Sequence, residues 1–142
     1  MINGLKHLHL FFAWLVIPIL AIAVILFAIG FFNKKTLSPL QEKLRLFAVI
    51  ITGLQLLLGV IMYVAGPYWK LLKSGVDMSD SLNRLQLIEH PLTMILAIIL
   101  VHIGSARIKR AKGLSKQTQG LLFFGIALFL IISRNYWDRM LG

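Results

Sequence analysis

The chain of 142 residues has no cysteine, which removes disulfides, thiolate metal sites, iron–sulfur ligation and covalently attached c-type haem. Acidic residues are scarce too, five Asp and Glu against fifteen Lys and Arg, and they form no paired-carboxylate arrangement. A P-loop and a serine nucleophile context are also missing. Charged residues make up only 14% of the chain and hydrophobic ones 58%, a balance too apolar for an ordinary soluble domain of this length.

What the chain does have is long apolar runs. A helix needs about 20 predominantly apolar residues to cross the hydrocarbon core of a bilayer. Four segments meet that length, at about 8–32, 46–65, 87–106 and 120–137. The fold expected is therefore all-α: one integral membrane domain over 1–142, a four-helix transmembrane up-and-down bundle. The first run is too long for a signal-peptide core and ends in Asn33-Lys34-Lys35, so it reads as a retained span. Gly120 to Ile132 is short for a span, so the fourth is expected to continue through Arg134 to Trp137. Tyr136 and Trp137 then form an interfacial belt, with Asp138 and Arg139 as its polar end. Ser38-Pro39 marks a turn or helix start, Gly66-Pro67 ends the second helix, and Ser79 or Asp80 caps a helix leading into the third span.

The net charge of +10 does not point to nucleic acid, because the basic residues lie in short loops beside the spans. The 33–45 and 107–119 linkers hold nine of the fifteen Lys and Arg, on the same side of a four-span chain. The positive-inside rule makes that side cytoplasmic and puts both termini and the 67–86 loop outside. The expected location is a bacterial inner (cytoplasmic) membrane, multi-pass, with the lipid bilayer as first partner.

Ionisable groups within spans are costly and are functional candidates by default. Here they are His9, Glu89, His90, His102 and Arg134. By counting along the spans, His9, Glu89, His90 and Arg134 all fall in the outer half of the bilayer. Two histidines on facing helices at one depth are what a bis-histidine b-type haem requires, together with small residues beside it and a cation for a propionate. His9 and His90 are the candidate metal ligands, Gly59, Ala65 and Ala13 supply space, and Arg134 supplies the cation. Glu89 either pairs with Arg134 or orients a histidine. Pro91 frees the carbonyl of Leu87 and bends the helix beside His90. His7 points about 200° away from His9 and faces water. His102 lies about 18 Å along the helix from His90 and is turned by roughly 120°, so it shares no metal with it. Gln55 is a candidate for a hydrogen bond across the bundle, whereas Ser105 and Thr93 are expected to bond back to their own helix. Trp14 is deep enough to pack on a cofactor.

The segments "HLHLFFAWLV", "LQLLLGVIMYV", "EHPLTMILAIILVHIGSARIKRAK" and "SRNYW" resemble small four-span bacterial membrane proteins labelled cytochrome b. The resemblance covers nearly the whole chain and implies haem b. His9 and Trp14 match a first-span His-x4-Trp, and Glu89-His90-Pro91 matches the start of the third span. Arg107, Lys109 and Arg110 match its basic exit, and Arg134 the arginine of the fourth. Ala13 stands where that pattern often has an arginine. A more distant likeness is to the four-span membrane protoporphyrinogen oxidase and the copper-resistance membrane domain; the oxidase has a lysine beside its span-three histidine where this chain has Pro91 and Leu92.

Three functions follow as expectations. The first is a cytochrome b-like electron carrier near the outer face, exchanging electrons with a partner such as a quinone. The second is a non-catalytic subunit or assembly factor of a larger membrane complex, with Gly53, Gly59, Gly104 and Gly125 letting neighbouring helices approach. The third is oxidation of a haem precursor, protoporphyrinogen. The topology is checked first: reporter fusions at Thr36 and Gly113 are expected to read cytoplasmic, and a periplasmic signal at either overturns it.

Overall fold

The computed structural model describes residues 2–135 and Trp137, and the elements it defines are all helical. Tyr136, Asp138 and Arg139, expected at the outer boundary, lie outside the described residues. Helix α1 spans Ile2–Phe32 and α2 spans Pro39–Ala65. Two short helices, α3 (Tyr68–Lys73) and α4 (Ser81–Arg84), precede a π-helical turn over Leu85–Glu89, which runs into α5 (His90–Arg110). Helix α6 is Ser115–Ser133.

Local chemistry sets most of these ends. Helix α1 closes with the Lys35 N–H on the Gly30 carbonyl (2.9 Å) and the Lys34 N–H on that of Phe31 (3.2 Å). This is the Schellman turn, with Lys34 at φ 52° in the place usually taken by glycine. Helix α2 opens on a reciprocal capping box: Ser38 Oγ accepts from the Gln41 N–H, and Gln41 Oε1 accepts from the Ser38 N–H. Pro39 sits in the first turn, where its missing N–H costs nothing. Gly66-Pro67 ends α2, and Asp80 caps α4 by accepting from Leu82 N–H at 2.8 Å.

The four helical segments Asn3–Phe32, Pro39–Ala65, Ser81–Arg110 and Ser115–Ser133 are long and apolar enough to cross a membrane. They make the chain a multi-pass membrane protein. The fourth differs in position from the expected 120–137. It begins five residues earlier and stops at Ser133, with Arg134 as its cap rather than a member. Its 19 residues rise about 28 Å, close to the hydrocarbon thickness. The early start is possible because Gln117, too polar to be assigned to a span on hydropathy, is paired inside the protein.

The long helices pack in a ring, α1 on α2, α2 on α5, α5 on α6 and α6 back on α1. Val16, Leu20, Ala23 and Phe27 form the buried stripe of α1, at spacings of three and four residues. They meet Ala48 and Ile51 of α2, Ala97 and Val101 of α5, and Phe124 and Ala127 of α6. The Phe27 and Phe124 rings are edge to face at 5.6 Å, and Gly120 leaves the room that Phe27 fills. Outside the ring, Ile25, Ile50, Val64, Leu92 and Phe129 are exposed, a perimeter suited to lipid and not to water.

A polar clamp joins the helices at the end that carries the basic linkers. Gln41 and Gln117 exchange side-chain hydrogen bonds (2.7 and 3.2 Å). Gln41 Nε2 also donates to the Leu26 carbonyl of α1 at 3.0 Å, and Gln117 Nε2 to that of Lys35 at 3.2 Å. Beside them the buried Arg45 pairs with Glu42 at 2.7 Å and donates to Ser105 Oγ at 2.6 Å. Ser105 thus binds across to α2 instead of back to its own helix, because the arginine offers a charged donor at that depth. Replacing Gln117 by Leu should destabilise the protein by about 1–3 kcal/mol through the unpaired Gln41 amide and Lys35 carbonyl. Thermal unfolding in detergent measures this, and an unchanged midpoint would show that the clamp contributes nothing.

Candidate functional site

The site is built around Pro91. A proline inside a helical path donates no N–H and crowds the carbonyl four residues back, here that of Leu87. The chain answers with the wider π-helical turn Leu85–Glu89 and with a new donor, the Tyr63 hydroxyl of α2, which binds the Leu87 carbonyl at 2.7 Å. Turns of this kind often mark functional positions in helices. Tyr63 is itself held by α3: its ring stacks on Tyr68 (6.2 Å, 12° between planes) and meets Trp69 edge-on at 6.5 Å. Lys73 lies 4.8 Å from the centre of the Trp69 ring. The 67–86 segment therefore leans on the very residue that stabilises the turn before His90.

Immediately after that turn, His90 projects toward α1. Its ring centre is 6.4 Å from that of His9, with the planes at 75°. The two histidines expected at one depth are thus neighbours. His90 Nδ1 lies 2.8 Å from the Arg134 carbonyl. A carbonyl only accepts, so in this contact Nδ1 carries the proton and donates to the Arg134 carbonyl. His9 is turned toward α2. Gln55 Nε2 donates to the His9 carbonyl at 3.1 Å and lies 3.3 Å from His9 Nε2, while the ring edge comes within 3.3 Å of where a Cβ on Gly59 would stand. His9 Nδ1 and Gln55 Oε1 are buried without a partner, which is uncommon for polar atoms in a finished interior.

A cavity of about 830 Å³ lies against this pair, walled by α1, α2 and the start of α5. His9, His90, Gln55, Gly59, Tyr63 and Met94 are among its lining, which is mainly apolar, and Ala13 borders it too. Lys6 and His7 stand at its α1 end, His7 largely exposed. The volume lies within the range of small-molecule and cofactor sites, roughly 300–1,000 Å³.

The remaining candidates are placed differently. Arg134 Nε is 3.2 Å from Glu89 Oε2, and Glu89 Oε1 also binds Arg84 at 2.8 Å. This three-residue charge cluster is half-exposed, and neither Glu89 nor Arg134 lines the cavity; Arg134 reaches it only through its carbonyl on His90. Trp14 is 47% exposed and faces away from the cavity. His102 bonds back to the Ile98 carbonyl at 2.8 Å, well apart from the pair. Of the expected set, His9, His90 and Gly59 come together, Glu89 and Arg134 pair at the rim, and Trp14 stands outside. Among the described residues, no group of three or more His, Cys, Asp and Glu gathers as a metal site.

Tyr63 is the contributor that sequence reasoning passed over. Two signals pointed to it: the freed Leu87 carbonyl needed a donor, and Gln55, Gly59 and Tyr63 recur at four-residue intervals on one face of α2. Comparisons with protein-family models, with curated proteins and with solved structures gave no match to this chain.

Substituting Tyr63 by Phe should cost about 1–3 kcal/mol by leaving the Leu87 carbonyl unpaired. Pro91→Ala supplies an N–H at residue 91, so in that background the Tyr63→Phe cost should shrink. Equal costs in both backgrounds, measured by thermal unfolding, would show that the two residues do not share the carbonyl.

Proposed function

We propose that the chain is a cytochrome b-like electron carrier of the bacterial cytoplasmic membrane, an up-and-down bundle with both termini outside, holding haem b between His9 and His90. The observation that carries this is the 6.4 Å spacing of the two rings beside a cavity of about 830 Å³. His9 and His90, on facing helices beside a cavity of cofactor size, are the residues that would hold the group. Two protein ligands without a third among the described residues suit a metal that brings its remaining ligands in a macrocycle.

Haem bound there supplies one-electron transfer. The protein's part is orientation and exclusion of water. The Arg134 carbonyl orients the His90 ring through Nδ1, the role an outer hydrogen-bond partner plays for metal-bound histidines. His9 must rotate its side chain away from Gln55 and Gly59 to ligate, and the two orphaned polar atoms there, His9 Nδ1 and Gln55 Oε1, favour such a rearrangement. Lys6, at the cavity edge, is the cation available to a propionate, since Arg134 is engaged with Glu89.

Protein purified after haem-replete expression should show Soret and α bands in its reduced-minus-oxidised spectrum. The bands should vanish in His9→Ala and His90→Ala and persist in His102→Ala. A wild-type preparation without these bands rejects the proposal.

A further inference from the structure

A second cavity, of about 460 Å³, lies at the opposite end of α5, where that helix meets the first turns of α6. Its lining is Ile103, Ala106, Arg107, Arg110, Ala111 and Gln119. Three observations make it more than a solvated basic patch. The first concerns ion pairing. Among the described residues, Arg45, Arg84 and Arg134 each have a glutamate partner, whereas Arg107 and Arg110 form no salt bridge. The two arginines without a carboxylate are the two that border the same cavity.

The second is that this positive charge is held in place. The Arg107 guanidinium lies 5.7 Å from the centre of the Phe123 ring, a cation–π arrangement linking α5 to α6. Both arginines stand in the last turns of α5, where the negative end of the helix dipole favours cations. The third is Gln119, whose Oε1 is buried without a hydrogen-bond partner although the residue lines the cavity. The chain brings an acceptor here and satisfies it with nothing of its own.

Depth selects the ligand. Ile103 and Ala106 lie up to about 10 Å further into the span than Arg110 and face outward, so the groove runs from a charged end into an apolar one. A ligand matching it has a phosphate at the arginines, a hydroxyl donor for Gln119 Oε1, and a hydrocarbon tail along Ile103. We propose that this groove binds an anionic phospholipid whose headgroup bears a hydroxyl, the chemistry of phosphatidylglycerol. Basic pockets between membrane helices take such headgroups, each basic residue adding roughly 1 kcal/mol, or about fivefold. This site does not depend on the haem reading.

The test uses the full chain reconstituted in phosphatidylcholine vesicles doped with spin-labelled phosphatidylglycerol or spin-labelled phosphatidylcholine, reading the motionally restricted lipid by electron paramagnetic resonance. Wild type should select phosphatidylglycerol. The Arg107→Gln/Arg110→Gln variant should lose roughly fivefold per arginine, while Lys109→Gln/Lys112→Gln, which removes the same charge outside the lining, should keep the selectivity. Gln119→Leu should weaken phosphatidylglycerol binding but leave phosphatidylmethanol, which lacks the hydroxyl, unchanged. No selectivity in wild type, or equal losses in the two double variants, overturns the proposal. Displacement of the label by inorganic phosphate would assign the groove to a free anion and overturn it as well.

Discussion

Lipid offers a helix no hydrogen-bond partner, so a polar group this chain buries relies on another part of the chain to meet it, and one left unmet is costly. That demand shapes both ends of the helix ring. At one end, the two glutamine amides satisfy each other, the Leu26 carbonyl of α1 and the Lys35 carbonyl of the loop, and Arg45 is shared between Glu42 and Ser105. At the other, a proline creates an unsatisfied carbonyl and a tyrosine from the neighbouring helix answers it. Beside the second lies the larger cavity, bordered by Gln55, Gly59 and Tyr63 of α2 and by residues of the widened turn.

The two ends also differ in how completely their polar atoms are paired. Both glutamines of the clamp use oxygen and nitrogen alike. Beside the cavity, a histidine nitrogen and an amide oxygen remain without partners. A fully paired network rigidifies a core, whereas an unpaired buried polar atom carries a desolvation cost that nothing in the chain offsets. The same contrast separates the arginines: those with glutamates close the structure, and those without face a groove.

The charge cluster of Arg84, Glu89 and Arg134 joins three elements beside the site. Arg84 comes from α4, Glu89 from the π-helical turn and Arg134 from the cap of α6, and one carboxylate holds both arginines. Half-exposed pairs of this kind add little stability individually. Their effect is geometric: with Glu89 fixed on Arg134, the Arg134 carbonyl is held against His90. The arginine acts on the imidazole through its backbone, a role no property of its side chain would suggest.

Much was legible in the residues themselves. Four apolar runs, Ser38-Pro39, Gly66-Pro67 and Asp80 are local signals, and each acts over a few residues, so the four membrane-length helices and several helix ends could be read directly, whereas α3 could not. The common depth of His9 and His90 followed from counting along two spans, since rise per residue is nearly constant. Which way a side chain turns is not local. Trp14 fitted a cofactor by depth and yet faces outward, because the rotation of α1 is set by Val16, Leu20, Ala23 and Phe27 packing on three other helices. The start of α6 was misplaced for a related reason: Gln117 counts as polar in the chain and as satisfied only once Gln41 lies beside it. Sequence by itself determined where helices form and how deep each polar group sits, because these depend on neighbours along the chain. Tertiary structure alone decided which polar groups find partners on other helices, because such a hydrogen bond is made only where packing brings donor and acceptor together.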